Sequence, residues 1–225
     1  MQHQSADLEW RENGVPISTR FDDPYFSLEN GLEETRHVFL AGNDLPERFR
    51  KGFHIGELGF GTGLNLLAAW QCWIETGFQD QLRFTSFEAF PMSADEMARG
   101  LKGFPVDPDL SRVLLDAISA GKNVIETDTL RAEIVIGDAR ATLPAHDCRI
   151  DAWFLDGFSP AKNPELWEPA LMQAVFDNTA PDGTVATYTA AGAVRRALSD
   201  AGFEVDRIPG FGRKRHMTVA KRSAK

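Results

Sequence analysis

The chain has 225 residues, 43 % of them hydrophobic, with 33 acidic against 24 basic side chains and a net charge of −9. That length supports one substantial core with an appended lobe, and every apolar run is broken by charge or proline, which excludes a membrane-spanning helix. Met1–Asp7 has neither a basic start nor an apolar stretch, and Cys72 and Cys148 lack metal-ligand spacing, so a reduced, cytoplasmic protein without a metal or membrane anchor is expected. The acidic total argues against nucleic acid, but the charge is uneven. From Arg195 to Lys225 nine Lys/Arg face three acids. Such a basic end is either a footprint for phosphates or a solvated tail.

Residues 1–52 read as an N-terminal elaboration and 53–225 as the main domain. Asn13-Gly14 is a hairpin-turn dipeptide, Asp22-Asp-Pro-Tyr-Phe-Ser27 is turn chemistry, and Leu28–Leu40 has a helical pattern disturbed at Asn30-Gly31. From Phe53 strands and helices alternate. A strand ends near Leu58 and its helix runs to about Glu75; Leu82–Glu88 is the second strand. Helical segments at 91–101 and 109–119 precede a third strand, Ala132–Asp138, and a fourth, Ile150–Asp156. A helix from Pro164 to Thr179 and a turn at Pro181-Asp-Gly183 lead to the fifth strand, Thr184–Thr189. A helix over 191–201 stops at Gly202, a good residue for the position after a helix end. Phe203–Ile208 and Met217–Lys221 close the chain. The alternation predicts an α/β fold, a doubly wound and mostly parallel sheet with an antiparallel last strand.

The chemistry begins at the first strand-to-helix turn, Glu57-Leu-Gly-Phe-Gly-Thr-Gly63-Leu-Asn. Gly59, Gly61 and Gly63 allow positive φ and close backbone approach to a ligand, and the helix that follows offers free N–H groups. The spacing is neither the dinucleotide Gly-x-Gly-x-x-Gly nor a phosphate loop. Acids close the next three strands. Glu88 stands where a carboxylate can accept from a ribose diol, Asp138 where it can meet an adenine amine, and Asp156 ends strand four. An acid at a strand end also serves as a helix cap; three in series behind a glycine loop indicate a nucleoside cofactor. The spacing resembles the first motif of class I S-adenosylmethionine methyltransferases.

The segment Asp156-Gly-Phe-Ser-Pro-Ala-Lys-Asn-Pro-Glu-Leu-Trp167 is the most distinctive in the chain. With FDDPYFSLENGLEETRHVFLAGN, GFGTGLN, FTSFEAFP and GFGRKRHM, it makes nearly the whole sequence resemble the methyltransferase domain of the MnmC family, the bacterial bifunctional tRNA 5-methylaminomethyl-2-thiouridine biosynthesis proteins, and its stand-alone MnmD counterparts. The resemblance implies methyl transfer from S-adenosylmethionine to the primary amine of a 5-aminomethyl group on the wobble uridine, with the tRNA anticodon stem-loop as partner. Bifunctional relatives carry a flavin-dependent oxidase domain that this chain has no room for. The amine would then come from a separate oxidase or another enzyme, or the chain is an excised domain.

The resemblance also implies roles. Glu57, Gly59, Phe60, Gly61, Thr62, Gly63, Glu88 and Asp138 would hold the cofactor, with Tyr25, Asn30 and Glu34 closing over its methionine end. Asp156 would accept a hydrogen bond from the amine, as a positioning group or as the base. Phe158 would stack on the uracil, face the cationic centre or plug the loop. Asn163 and Trp167 would fix that loop. Lys162, Arg195, Arg196, Arg213, Lys214 and Arg215 would meet tRNA phosphates, some of the last three lying at the pocket mouth. The rivals are a class I methyltransferase for a small-molecule amine, a catalytically silent tRNA- or partner-binding module, and a nicotinamide oxidoreductase, which the glycine spacing disfavours.

Overall fold

A computed structural model describes residues 5–26 and 30–223. The chain opens with a small antiparallel sheet of β1 (Leu8–Trp10), β2 (Pro16–Ser18) and β3 (Asp23–Pro24). Asn13-Gly14 makes the first turn, with Gly14 at φ +81°. Helix α1 (Gly31–Thr35) follows and continues into a π-helical turn, Arg36–Leu40, and a 3₁₀ turn, Ala41–Asn43. Of the helix expected over Leu28–Leu40, the described part starts after the N-cap Asn30 and is widened at its end; Leu28 and Glu29 lie outside the described residues. Asn43 is fully buried, its amide donating to the carbonyls of Phe39 (2.9 Å) and Trp153 (3.2 Å). Arg48 donates to the carbonyls of Asp151 and Asp182. These bonds weld the N-terminal segment to one face of the main sheet.

The main sheet then forms from β4 (His54–Leu58), α2 (Leu64–Glu75), β5 (Leu82–Glu88), α3 (Ala94–Leu101), α4 (Pro108–Ser119), β6 (Val124–Glu126), β7 (Leu130–Ile136) and α5 (Ala139–Thr142). It continues through β8 (Ile150–Leu155), a 3₁₀ turn (Pro164–Trp167), α6 (Pro169–Asp177), β9 (Thr179–Thr187), α7 (Gly192–Ala201), β10 (Glu204–Pro209) and β11 (His216–Lys221). The strand order is β10-β11-β9-β8-β4-β5-β7-β6. The five central strands are parallel, whereas β6, β10 and β11 pair antiparallel. β4 and β8 are buried along their whole length, and β8 carries the apolar run Ala152–Leu155 rather than alternation, as a covered parallel sheet requires. Trp73, Phe84 and Phe154 fill one side of the sheet with α2; Trp153, Leu171 and Leu198 fill the other with α6 and α7.

Three expectations need correction. The helix expected from Pro164 to Thr179 is broken, because Glu168 precedes Pro169 and is pushed to the extended ψ of 146°. Pro181-Asp-Gly183 is not a turn between elements but a bulge inside β9. Ile150 pairs with Thr179 and Ala152 with Thr184, so β9 carries extra residues there, with Asp182 at φ +60°. β6 stands in the long connection where no strand was expected, and β7 starts two residues early and ends at Ile136, short of Asp138. Among the described residues no helix is long and apolar enough to cross a membrane.

Strand order reverses between β4 and β8, and the carboxyl ends of those two strands open a crevice. The Asp156 N–H donates to the Leu58 carbonyl (3.1 Å), holding the two strand ends side by side.

Candidate active site

A cavity of about 830 Å³ occupies that crevice. Its floor is the glycine loop. Gly59 has φ +87°, and a Cβ there would lie 2.8 Å from the Asp156 carbonyl oxygen, so only glycine lets the loop cross β8 so closely. A Cβ on Gly61 would meet the Tyr25 ring at 3.2 Å. The end of β5 clamps the loop. Glu88 accepts from the N–H groups of Phe60 (2.9 Å), Gly61 (3.1 Å) and Phe90 (2.7 Å). Each carboxylate oxygen has two lone pairs, and with three donors engaged one remains for a ligand hydroxyl.

Glu57 does not line the cavity. It lies behind the loop, 1 % exposed, accepting from Asn65 Nδ2 (3.0 Å) and engaging the Ser86 hydroxyl (2.6 Å). Burial pushes its carboxyl well above the usual range, against the pull of those two hydrogen bonds. Gly63 is also off the wall, as the N-cap of α2. Asp138 caps α5 and lines the cavity, but Arg140 grips it through Nε and Nη2 (3.0 and 2.7 Å). That hydrogen bond holds the Asp138 carboxyl below its ordinary value.

Asp156 sits at the centre. Its Oδ1 accepts from the Gly157 N–H (2.8 Å) and its Oδ2 from Asn65 Nδ2 (2.9 Å). Burial pushes its carboxyl up to about 6; Glu34 raises it further, while the two hydrogen bonds and Lys214 oppose. The loop beyond is tightly tied. The Tyr188 hydroxyl donates to the Gly157 carbonyl (2.7 Å), and Trp167 Nε1 to the Phe158 carbonyl (3.0 Å). Phe158 stacks on Phe21 at 4.7 Å and meets Tyr25 edge-on at 4.9 Å, while Phe90 closes against Phe21. Burial raises the Tyr25 and Tyr188 hydroxyls above their ordinary value, so both stay protonated donors.

The N-terminal segment and the β10–β11 loop form the roof. Asp23 accepts from the Ser159 N–H (2.8 Å), and Lys162 donates to both the carboxylate and the carbonyl of Asp22. Lys162 is thus pinned to the segment rather than to the cavity wall. Lys214 does reach the cavity, pairing with Glu34 at 2.7 Å and lying 4.0 Å from the Tyr188 ring centroid. Asn30 caps α1 through the Glu33 N–H (3.2 Å) and does not line the cavity; Thr62, Tyr25, Glu34, Phe158 and Asn163 do. Arg195 is half-buried and Arg196 exposed on α7, and Arg213 and Arg215 are exposed on the β10–β11 loop, all off the cavity wall. Among the described residues no cluster of three His, Cys, Asp or Glu is placed to hold a metal.

Sequence reasoning missed Asn65, Tyr188 and Arg140. Two signals were available. Asn65 closes the GFGTGLN run, and Tyr188 follows the end of β9 as the acids follow theirs.

The cavity fits a nucleoside cofactor on its own chemistry: a loop that a Cβ would obstruct, and a carboxylate already holding that loop with acceptor capacity to spare. A model of the family described as S-adenosyl-L-methionine-dependent methyltransferase matches residues 108–223. The bifunctional protein MnmC for tRNA 5-methylaminomethyl-2-thiouridine biosynthesis from Pseudomonas aeruginosa (strain UCBPP-PA14) is 46 % identical over 225 residues, covering 95 % of this chain and 34 % of its own length. Its counterpart in Chromobacterium violaceum is 44 % identical over 229 residues, covering 97 % and 34 %. The chain thus spans about a third of the length of the curated relatives it matches. The crystal structure of MNMC2 from Aquifex aeolicus superposes with a TM-score of 0.79 at 28 % identity, over all of this chain and 72 % of that one. A spermidine synthase from Thermotoga maritima, at 13 % identity and a TM-score of 0.57 over the same shares, has the same fold. The chain belongs to the S-adenosyl-L-methionine-dependent methyltransferase family.

Proposed function

We propose that this chain methylates the primary amine of 5-aminomethyl-(2-thio)uridine at the tRNA wobble position, giving the 5-methylaminomethyl product. The observation that carries the reading is Asp156, a desolvated carboxylate at the switch point of the sheet with aromatic rings beside it. The names of the MnmC relatives supply the substrate class.

Glu88 and the Phe60–Thr62 backbone would hold the cofactor nucleoside, with Tyr25 and Glu34 over its other end and Asn30 and Glu57 acting through the frames they brace. When bound, S-adenosylmethionine supplies an electrophilic methyl group on a sulfonium that leaves readily. Asp156 accepts a hydrogen bond from the acceptor amine, turns its lone pair inward and stabilises the cation that develops. The amine must be neutral at attack, and the Lys214 ammonium nearby disfavours a second cation. Phe158, with Phe21 and Tyr25, offers ring faces to an unstacked pyrimidine. Arg196, Arg213 and Arg215 face phosphates from the exposed surface. The described N-terminal residues, 5–26 and 30–52, act as an elaboration that roofs this site.

The test is transfer of radiolabel from S-adenosylmethionine into bulk tRNA from cells lacking this enzyme, followed by nucleoside digestion. Label in 5-methylaminomethyl-uridine, thiolated or not, is the expected result. Label absent from tRNA but present in free amines would move the reading to a small-molecule acceptor, which the acidic body of the chain suits. Cofactor binding without transfer to either would leave a silent module.

A further inference from the structure

From Asn65 a single amide reaches three parts of the fold. It lies in the first turn of α2, 6 % exposed. Its Nδ2 donates to Glu57 at the end of β4 (3.0 Å) and to Asp156 beyond β8 (2.9 Å). Its Oδ1 accepts from the Thr35 hydroxyl (2.8 Å) at the end of α1, and Thr35 is itself buried.

Chemistry fixes which way the amide points. A hydroxyl donates readily to the amide oxygen, and a carboxylate only accepts, so the NH₂ must face the two acids. Its two hydrogens are then both used. Glu57 accepts from the Ser86 hydroxyl on one oxygen (2.6 Å) and from Asn65 on the other (3.0 Å). Asp156 gains one donor on each oxygen, Asn65 on Oδ2 and Gly157 on Oδ1, which leaves each oxygen a lone pair for a ligand. The groups of charge around Asp156 are Glu57 on β4, Glu34 on α1, Lys214 on the β10–β11 loop and the Tyr188 hydroxyl after β9. Of the two donors on Asp156, only Asn65 is a side chain that the rest of the fold can orient.

We propose that Asn65 positions Asp156 for methyl transfer, and that Thr35 on the N-terminal segment sets the orientation of the Asn65 amide. The proposal rests on the functional reading above, since it takes Asp156 as the group that meets the acceptor amine. It gives the N-terminal segment a second task besides roofing the cavity, because the segment carries the hydroxyl that aims the amide. Asn65 lines the cavity, but with both amide hydrogens engaged its assigned role runs through Asp156.

The experiment compares wild type with Asn65→Ala, Thr35→Val and Thr35→Ser, reading kcat and KM between about pH 5.5 and pH 9. Asn65→Ala should lower kcat about 10- to 100-fold at neutral pH, the size of a hydrogen bond to a charged group, with KM for tRNA within about threefold. The deficit should narrow as pH rises, because a carboxylate stripped of a donor titrates higher and recovers its charge there. The ionisation of the amine shapes every profile alike and cancels in the ratio. Thr35→Val should fall about fivefold, and Thr35→Ser, which keeps the hydroxyl, should recover most of that loss. A deficit equal at every pH, or Thr35→Ser as poor as Thr35→Val, would overturn the proposal.

A carboxyl ¹³C titration of Asp156, assigned with Asp156→Asn, separates this proposal from the functional reading. Asn65→Ala should raise the midpoint by about one unit. If wild type methylates no tRNA, the functional reading fails while the titration still decides the Asn65 assignment; an unmoved midpoint sinks it. Should Asn65→Ala fail to fold, the Thr35 pair carries the same test.

Discussion

The floor of the cavity is held by backbone hydrogen bonds, and its roof by ion pairs between side chains. On the floor, Glu88 takes three main-chain N–H groups and Gly59 crosses β8 at a distance no other residue tolerates. On the roof, Lys162 reaches the exposed Asp22 with its own side chain 38 % exposed, while Lys214 reaches Glu34, whose side chain is only 12 % exposed. Bonds of the first kind leave unpaired buried groups when cut, whereas exposed ion pairs exchange for water at little cost. A methyltransferase must hold its cofactor in register yet admit an acceptor and release the product. The difference in construction puts the rigidity under the cofactor and the looseness over it. Asp156 stands between the two, tied to the floor by Gly157 and Asn65 and facing the roof at Glu34 and Lys214.

The largest effect should come at that junction. Asp156→Ala should keep S-adenosylhomocysteine affinity within about threefold and lower turnover by about 10³-fold, as expected for losing orientation and charge stabilisation together. Single-turnover methylation beside calorimetric binding measures both. Near-normal turnover would remove Asp156 from the site and leave floor and roof without a shared centre.

Next comes the floor. Glu88→Ala strips the acceptor from Phe60, Gly61 and Phe90, and should weaken cofactor binding by about 2–3 kcal/mol, roughly 100-fold. Titration calorimetry decides it. An affinity within a factor of two of wild type would mean the loop holds its shape without its clamp.

A smaller effect, of opposite sign, is expected on stability. The Asp156 carboxyl is raised from 3.8 to about 6, so the folded protein binds that proton more tightly than the unfolded chain. The residue's penalty is therefore absent below the unfolded value, grows as pH rises through the folded value, and is complete above it. Asp156→Asn should raise unfolding free energy at pH 8 by roughly 1–2 kcal/mol, discounted for water in the open cavity, and change nothing near pH 3. Denaturant titration at the two pH values tests this. A gain of equal size at both would make it a packing effect rather than a titration.

Much of this was legible in the sequence, for physical reasons that can be named. β5 runs over Leu82–Glu88 as read, because a short stretch with Leu82, Phe84 and Phe87 between polar turns permits few alternatives. The glycine loop announces itself, since three positive-φ positions in five residues leave no other choice of side chain. What stayed hidden depends on partners distant in sequence. Asn65 looks like any residue opening a helix until Asp156, 91 positions on, folds beside it. Lys162 reads as a free cation for phosphate until Asp22, 140 positions away, takes it. Asp138 is the opposite case, since its captor Arg140 is two residues off, but the pairing exists only once α5 turns them together. β6 escaped because three residues at an edge show no period.

The smallest effect is the sharpest test of the comparison, because the floor and the roof differ most in what a single cut should do. Lys162→Ala removes both contacts with Asp22 and leaves the Asp23–Ser159 bond in place. A roof held by exposed ion pairs should lose hold without losing fold, so the melting midpoint should stay within about a degree of wild type. Release of S-adenosylhomocysteine, followed by stopped flow, should quicken by about threefold. Wild type should approach the variant's rate as salt screens the pair, while the variant itself responds little. Lys162 also holds the Asp22 carboxyl below its ordinary value, so the latch should release only at strongly acid pH and stay shut across the neutral range. A midpoint several degrees lower, or release rates that salt leaves apart, would show the roof to be as structural as the floor, and opening would have to be sought at Glu34 and Lys214 instead.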